Sequence, residues 1–175
     1  METKIFFKKK IDEFAIKSIL RIAKEGVYMN GLKRKYCDTK QIYKKCLQSR
    51  NDHPNESFLT NMIYWPMDIN IGLSNYDYYR YVILLLNHKA FRNIKRSEDK
   101  EFIKKTIRNA FRETNFFDEC SSKCNLKHII QEWDSFYKPL IKMAKRYKAY
   151  SNELLDNVEK NIKFIMNSDF QKIPF

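Results

Sequence analysis

The chain has 175 residues, 34 of them basic and 21 acidic, for a net charge of +13. That length is enough for one domain with a real core, and the charge favours polyanions and acidic partners without choosing among RNA, an anionic membrane and an acidic protein. Three glycines and three scattered histidines (His53, His88 and His128) offer no Gly-rich phosphate loop and no Ser/His/Asp arrangement, so the composition points away from an enzyme.

Scarce glycine and proline with long periodic stretches predict an all-α fold, a helical bundle joined by short connections. The opening METKIFFKKKIDEFAIKSILRIAKEG is basic and amphipathic, like a mitochondrial presequence. Its Glu2, Asp12, Glu13 and Glu25 favour an uncleaved, folded first helix instead. Ile11, Phe14, Ala15, Ser18, Ile19, Ile22 and Ala23 recur at steps of three and four, one stripe of that helix, and Gly26 and Gly31 bracket its end. A second helix is expected over 32–48, with Leu32, Tyr36, Tyr43 and Leu47 inward and six basic residues outward. From Ser49 to Ser74 the periodicity fails around two prolines. This stretch reads as an ordered loop, because Phe58, Met62, Tyr64 and Trp65 are costly to leave in water.

Asn75 or Asp77 then caps a helix running to about Arg92, with Tyr79, Val82, Ile83, Leu86 and Ala90 on its stripe. Tyr, Val and Ile also suit a strand, but no partner strand is evident. Ser97 caps the next helix, with Glu98 and Asp99 in its first turn. Its apolar face is Ile103, Thr106, Ile107, Ala110, Phe111 and Thr114, and Lys104, Lys105, Arg108 and Arg112 lie off that face. Leu126, Ile129, Ile130, Trp133, Tyr137, Leu140, Ile141 and Ala144 continue the pattern to about Tyr150, with Pro139 expected to kink it. Ser151 caps a last helix carrying Leu155, Val158, Ile162 and Ile165.

Four cysteines do not form a disulfide framework in this chain. Cys37 and Cys46, or Cys120 and Cys124, match neither a Cys-x-x-Cys pair nor a twin Cys-x9-Cys pattern. Cys120, Cys124 and His128 share a helix face but lack a fourth ligand and the usual zinc spacing, so no metal site is expected. No apolar run is long enough to span a membrane.

Tyr78-Tyr79-Arg80 at the start of one helix and Ile107-Arg108-Asn109-Ala110-Phe111-Arg112-Glu113 at the end of the next form a constellation, with Phe111 lying 31 residues after Arg80. It resembles the LYR-motif family of small mitochondrial helical adaptors, whose Leu-Tyr-Arg triplet precedes a Phe-Arg by about thirty residues. Here Tyr78 stands in the leucine's place, and about 75 residues precede the motif. The resemblance divides the chain into an N-terminal extension and loop (1–74), an antiparallel three-helix module (75–150) and a C-terminal helix and tail (151–175).

The resemblance implies a non-catalytic adaptor on the matrix side of the mitochondrion. Such an adaptor docks an acyl carrier protein and serves as accessory subunit or assembly factor of a larger assembly: mitoribosome, respiratory complex or iron–sulfur machinery. Tyr79, Arg80, Lys104, Lys105, Arg108 and Arg112 are then the expected carrier-binding residues. Val82, Ile83, Leu86, Ile107, Ala110 and Phe111 are expected to line a groove for the acyl chain. The cofactor implied is not the chain's own but the carrier's acyl-4'-phosphopantetheine, and the net charge of +13 leaves rRNA open as a further partner. The alternative is a basic all-helical module that grips nucleic acid without an acyl ligand. It would use faces such as Lys33-Arg34-Lys35-Tyr36 and Lys145-Arg146-Tyr147-Lys148.

Overall fold

The computed structural model describes residues 2–25, 39–114, 116 and 123–167. Among them eight α-helices are found and no strand, so the fold is all-α. In chain order they are α1 (Glu2–Glu25), α2 (Thr39–Asp52), α3 (Phe58–Asp68), α4 (Asn75–Leu86), α5 (Ser97–Glu113), α6 (Lys123–Gln131), α7 (Lys138–Arg146) and α8 (Asn152–Asn167). No helix among the described residues is long and apolar enough to cross a membrane. The chain separates into two compact units, Met1–Asp99 and Lys100–Phe175, a boundary that falls near the start of α5.

In the first unit α1 packs on α2, α3 and α4. Its buried stripe is Ile11, Ala15, Ile16, Ser18, Ile19 and Ile22, close to the periodic expectation. Asp12 is buried in the same face at 3% exposure. Its carboxylate accepts two 2.6 Å hydrogen bonds from the Arg50 guanidinium of α2, one on each oxygen. That guanidinium also lies 4.1 Å from the Phe58 ring centroid and 4.8 Å from that of Trp65, both on α3. One planar cation therefore ties three helices together, a task suited to arginine's fork and flat π-surface. The face that α2 buries is Ile42, Cys46 and Ser49 rather than Tyr43 and Leu47, which are only half-buried. Leu32, Tyr36, Gly26 and Gly31 lie outside the described residues.

The expected loop from Ser49 to Ser74 contains a helix. Ser57 caps α3 by accepting from the Thr60 N–H at 3.1 Å, and Met62, Ile63 and Trp65 are fully buried. Pro66 lies inside it. Proline has no N–H for the carbonyl four residues back, here that of Met62. The Tyr81 hydroxyl of α4 donates to that carbonyl at 2.6 Å, and the Tyr78 hydroxyl donates to the next one, Ile63, at 2.8 Å. Burial pushes the Tyr81 phenol well above its usual pKa, so it stays protonated and remains a donor. The proline that makes the segment look irregular is accommodated from a neighbouring helix.

Helix α4 begins under Ser74, whose hydroxyl accepts from the Asp77 N–H at 3.1 Å; neither Asn75 nor Asp77 is the cap. It ends at Leu86 rather than near Arg92. His88 starts a separate 3-10 turn, Lys89–Phe91, through its Nδ1, which accepts from the Ala90 N–H at 3.1 Å. Ala90 is therefore not on the α4 stripe.

In the second unit α5 buries Ile103, Thr106, Ile107, Ala110 and Phe111, following its periodicity. The long helix expected over 126–150 is broken. A π-helical turn, Trp133–Tyr137, separates α6 from α7, which carries Pro139 in its first turn. The Tyr137 N–H reaches back five residues to the Glu132 carbonyl at 3.3 Å. This wider turn relieves the ring clash that a proline imposes on the preceding turn. Beyond Arg146 the chain turns. The Ser151 hydroxyl then caps α8 by accepting from the Leu154 N–H at 3.2 Å, and Leu155 and Ile162 are buried along it.

Two stability measurements test this account. Tyr81→Phe should cost about 1–3 kcal/mol, because a buried carbonyl loses its donor. In a Pro66→Ala background the same change should cost distinctly less, since the substitution restores the missing N–H. Equal costs in urea denaturation of both pairs would refute the replacement of amide by hydroxyl. The second concerns Cys46, buried with its thiol pushed up to about 12, chiefly by burial. A raised folded-state pKa favours the neutral thiol, a contribution complete below about pH 8.5 and lost as the pH rises toward 12. The stability difference between wild type and Cys46→Ala should therefore shrink by about 2 kcal/mol from pH 7 to pH 10.

Candidate functional site

The motif residues of α4 lie in the first unit. Tyr79 is 4% exposed, with its ring edge-on to Tyr78 at 5.0 Å. It is a core residue of this unit, not a surface contact. Tyr78, the residue in the leucine's place, uses its hydroxyl on α3 as described. Arg80 is a quarter exposed and faces the buried Asp77 at 3.6 Å, one turn back on its own helix. Val82, Ile83 and Leu86 are buried, as are Tyr81 and Leu85 between them, so α4 is enclosed on most sides.

The residues of α5 belong to the second unit. Ile107, Ala110 and Phe111 are each about 1% exposed. The Phe111 ring stands edge-on to Phe116 and to Tyr150, with both centroids at 5.2 Å. Phe116 stacks in turn on Tyr137 at 5.2 Å. The expected acyl-groove positions are thus filled, interlocked side chains in each unit.

The expected docking cations of α5 lie toward solvent. Lys104 pairs with Glu101 at 3.1 Å, and Lys105, Arg108 and Arg112 are exposed. The spacing of these three, i, i+3 and i+7, puts them on one helix face. Two of the three are held in place. Arg108 Nε donates to the Ala149 carbonyl at 3.0 Å, a contact across 41 residues, and Arg112 Nη2 donates to Asn109 Oδ1 at 2.7 Å. Anchored cations lose less side-chain entropy on meeting an anion than unrestrained ones. Acidic residues occupy the first turn of α5 and Arg112 its last, an arrangement that follows the helix dipole.

The remaining sequence candidates divide clearly. Cys37, Cys120 and the side chain of Cys124 fall outside the described residues, as does Lys33-Arg34-Lys35-Tyr36. No group of three His, Cys, Asp or Glu side chains suited to a metal occurs among the described residues. In Lys145-Arg146-Tyr147-Lys148, Lys145 is engaged with Asp156 at 2.5 Å and Glu159 at 3.5 Å on α8. An open polar groove of about 400 Å3 lies at the end of α2, between Lys45, Ser49, Asp52 and His53 and the α3 residue Asp68. Ser49 Oγ donates to Asp68 Oδ2 there at 2.6 Å. Sequence reasoning did not single out this groove, nor Tyr150 on the turn that holds Arg108, because contacts across 19 or 41 residues leave no periodic trace. No protein-family model, curated protein or solved structure matches this chain.

Proposed function

We propose that the chain is a non-catalytic helical adaptor that docks an acidic protein through the basic face of α5. An acyl carrier protein is the partner, as the resemblance of Tyr78-Tyr79-Arg80 and of Ile107 to Glu113 implies. The setting is a larger assembly on the matrix side of the mitochondrion. The observation that carries this reading is the row of exposed Lys105, Arg108 and Arg112, with both guanidinium groups positioned by protein acceptors. Such a row complements a carboxylate-rich helix and speeds encounter with it, and the net charge of +13 adds long-range attraction.

Arg80, in the first unit, already faces Asp77, and Tyr79 is held in the core of that unit. An acyl chain entering among Ile107, Ala110 and Phe111 would have to displace rings already in contact, so docking rests first on charge.

The double variant Lys105→Glu/Arg112→Glu should weaken association with a purified acyl carrier protein at least tenfold at low salt. Its melting temperature should stay within a few degrees of wild type, because both side chains are exposed. Unchanged carrier affinity in a titration by biolayer interferometry would refute the docking face.

A further inference from the structure

The turn that joins α7 to α8 is built with an unusual residue. Ala149 N–H donates to the Ala144 carbonyl at 2.9 Å and Lys148 N–H to the Lys145 carbonyl at 3.3 Å. This nested pair is the Schellman closure of a helix C-terminus, whose left-handed position is ordinarily glycine. Here that position is Lys148, at φ 56°. A lysine held in left-handed backbone is strained, and such strain tends to persist where the side chain has a use.

The same turn carries two further features. Its Ala149 carbonyl holds Arg108 of α5 at 3.0 Å. Its Tyr150 ring rests edge-on against Phe111 at 5.2 Å and is only half-buried. Arg112 stands one helical turn beyond Arg108. Burial pushes the Tyr150 phenol up, and the positive charges of Arg108 and Arg112 work against that shift. Lys145, the neighbouring cation, is turned toward Asp156 and Glu159 instead.

We infer that Arg108, Arg112, Lys148 and Tyr150 form a binding corner for single-stranded nucleic acid. The three cations meet backbone phosphates, and the tyrosine, braced from behind by Phe111, stacks a base. Helix C-termini attract cations on their own account, and Arg112 and Lys148 both sit at such ends. The dipole explains neither a half-buried aromatic ring on the turn that holds Arg108 nor a lysine where glycine would fit without strain. An acidic protein helix supplies carboxylates for the cations but no flat ring for Tyr150, which is why a nucleic acid fits this corner better. The inference is independent of carrier docking, though both use Arg108 and Arg112, so the two partners should compete.

The test is fluorescence anisotropy of a labelled twelve-nucleotide oligouridylate with the full chain. Tyr150→Phe should bind within twofold of wild type, and Tyr150→Leu, which keeps an apolar cover on Phe111, should bind about tenfold more weakly. Arg108→Gln should lower the slope of log affinity against log salt by about 0.7. Lys148→Gly is the variant that cannot fail by misfolding: it relieves the left-handed strain, so it should melt higher yet bind the oligonucleotide more weakly. The proposal is overturned if Lys148→Gly binds like wild type, if Tyr150→Leu does so, or if a duplex of equal length binds as tightly as the single strand. Lys105→Gln separates the readings, since it should weaken carrier association and leave the loss caused by Tyr150→Leu unchanged.

Discussion

The first unit is organised by one buried charge pair. Asp12 sits among isoleucines on α1, where an unpaired carboxylate would be costly by several kcal/mol. Arg50 answers it on both oxygens while its flat faces are covered by Phe58 and Trp65. Attraction between the charges does not by itself make such a pair stabilising, because both ions leave water. What the pair supplies is geometry: a fork and two ring contacts can be satisfied together in very few arrangements of α1, α2 and α3. The aliphatic stripes of these helices could slide past one another at little cost; the pair fixes their register.

Much of this fold was legible in the sequence, for reasons tied to particular residues. The α5 face from Ile103 to Phe111 and the α8 positions Leu155 and Ile162 follow a period of 3.6, so local pattern and burial agree. Reading failed where a side chain from elsewhere in the chain completes the local structure. α3 was hidden because Pro66 signals a break, and its remedy lies on Tyr81, fifteen positions further on. The limit of α4 at Leu86 and the turn at Lys148 were missed because both depend on backbone closures that apolar spacing does not encode.

The candidate site shows the same division. The basic residues of α5 could be named from the sequence, since they lie off its apolar face. The anchoring of Arg108 could not, because it comes from the Ala149 carbonyl, 41 residues away. For the aromatic-aromatic-arginine triplet the outcome is different again. Its two tyrosines serve α4 packing, one through a hydroxyl on α3 and one through burial, so a resemblance carried by three letters coincides here with a local structural duty.

The hydroxyl that Tyr81 lends to α3 also bears on the order in which the first unit is assembled. A helix interrupted at its ninth residue by proline is a poor nucleus, since a short helix gains too few bonds to offset the ordering of its first turn. α3 therefore gains its closing bond only when α4 arrives, and the two helices share one cooperative step. Over generations the same dependence couples the positions: a chain that loses the phenol at 81 is under pressure to lose the proline at 66, and the two should be inherited as a pair.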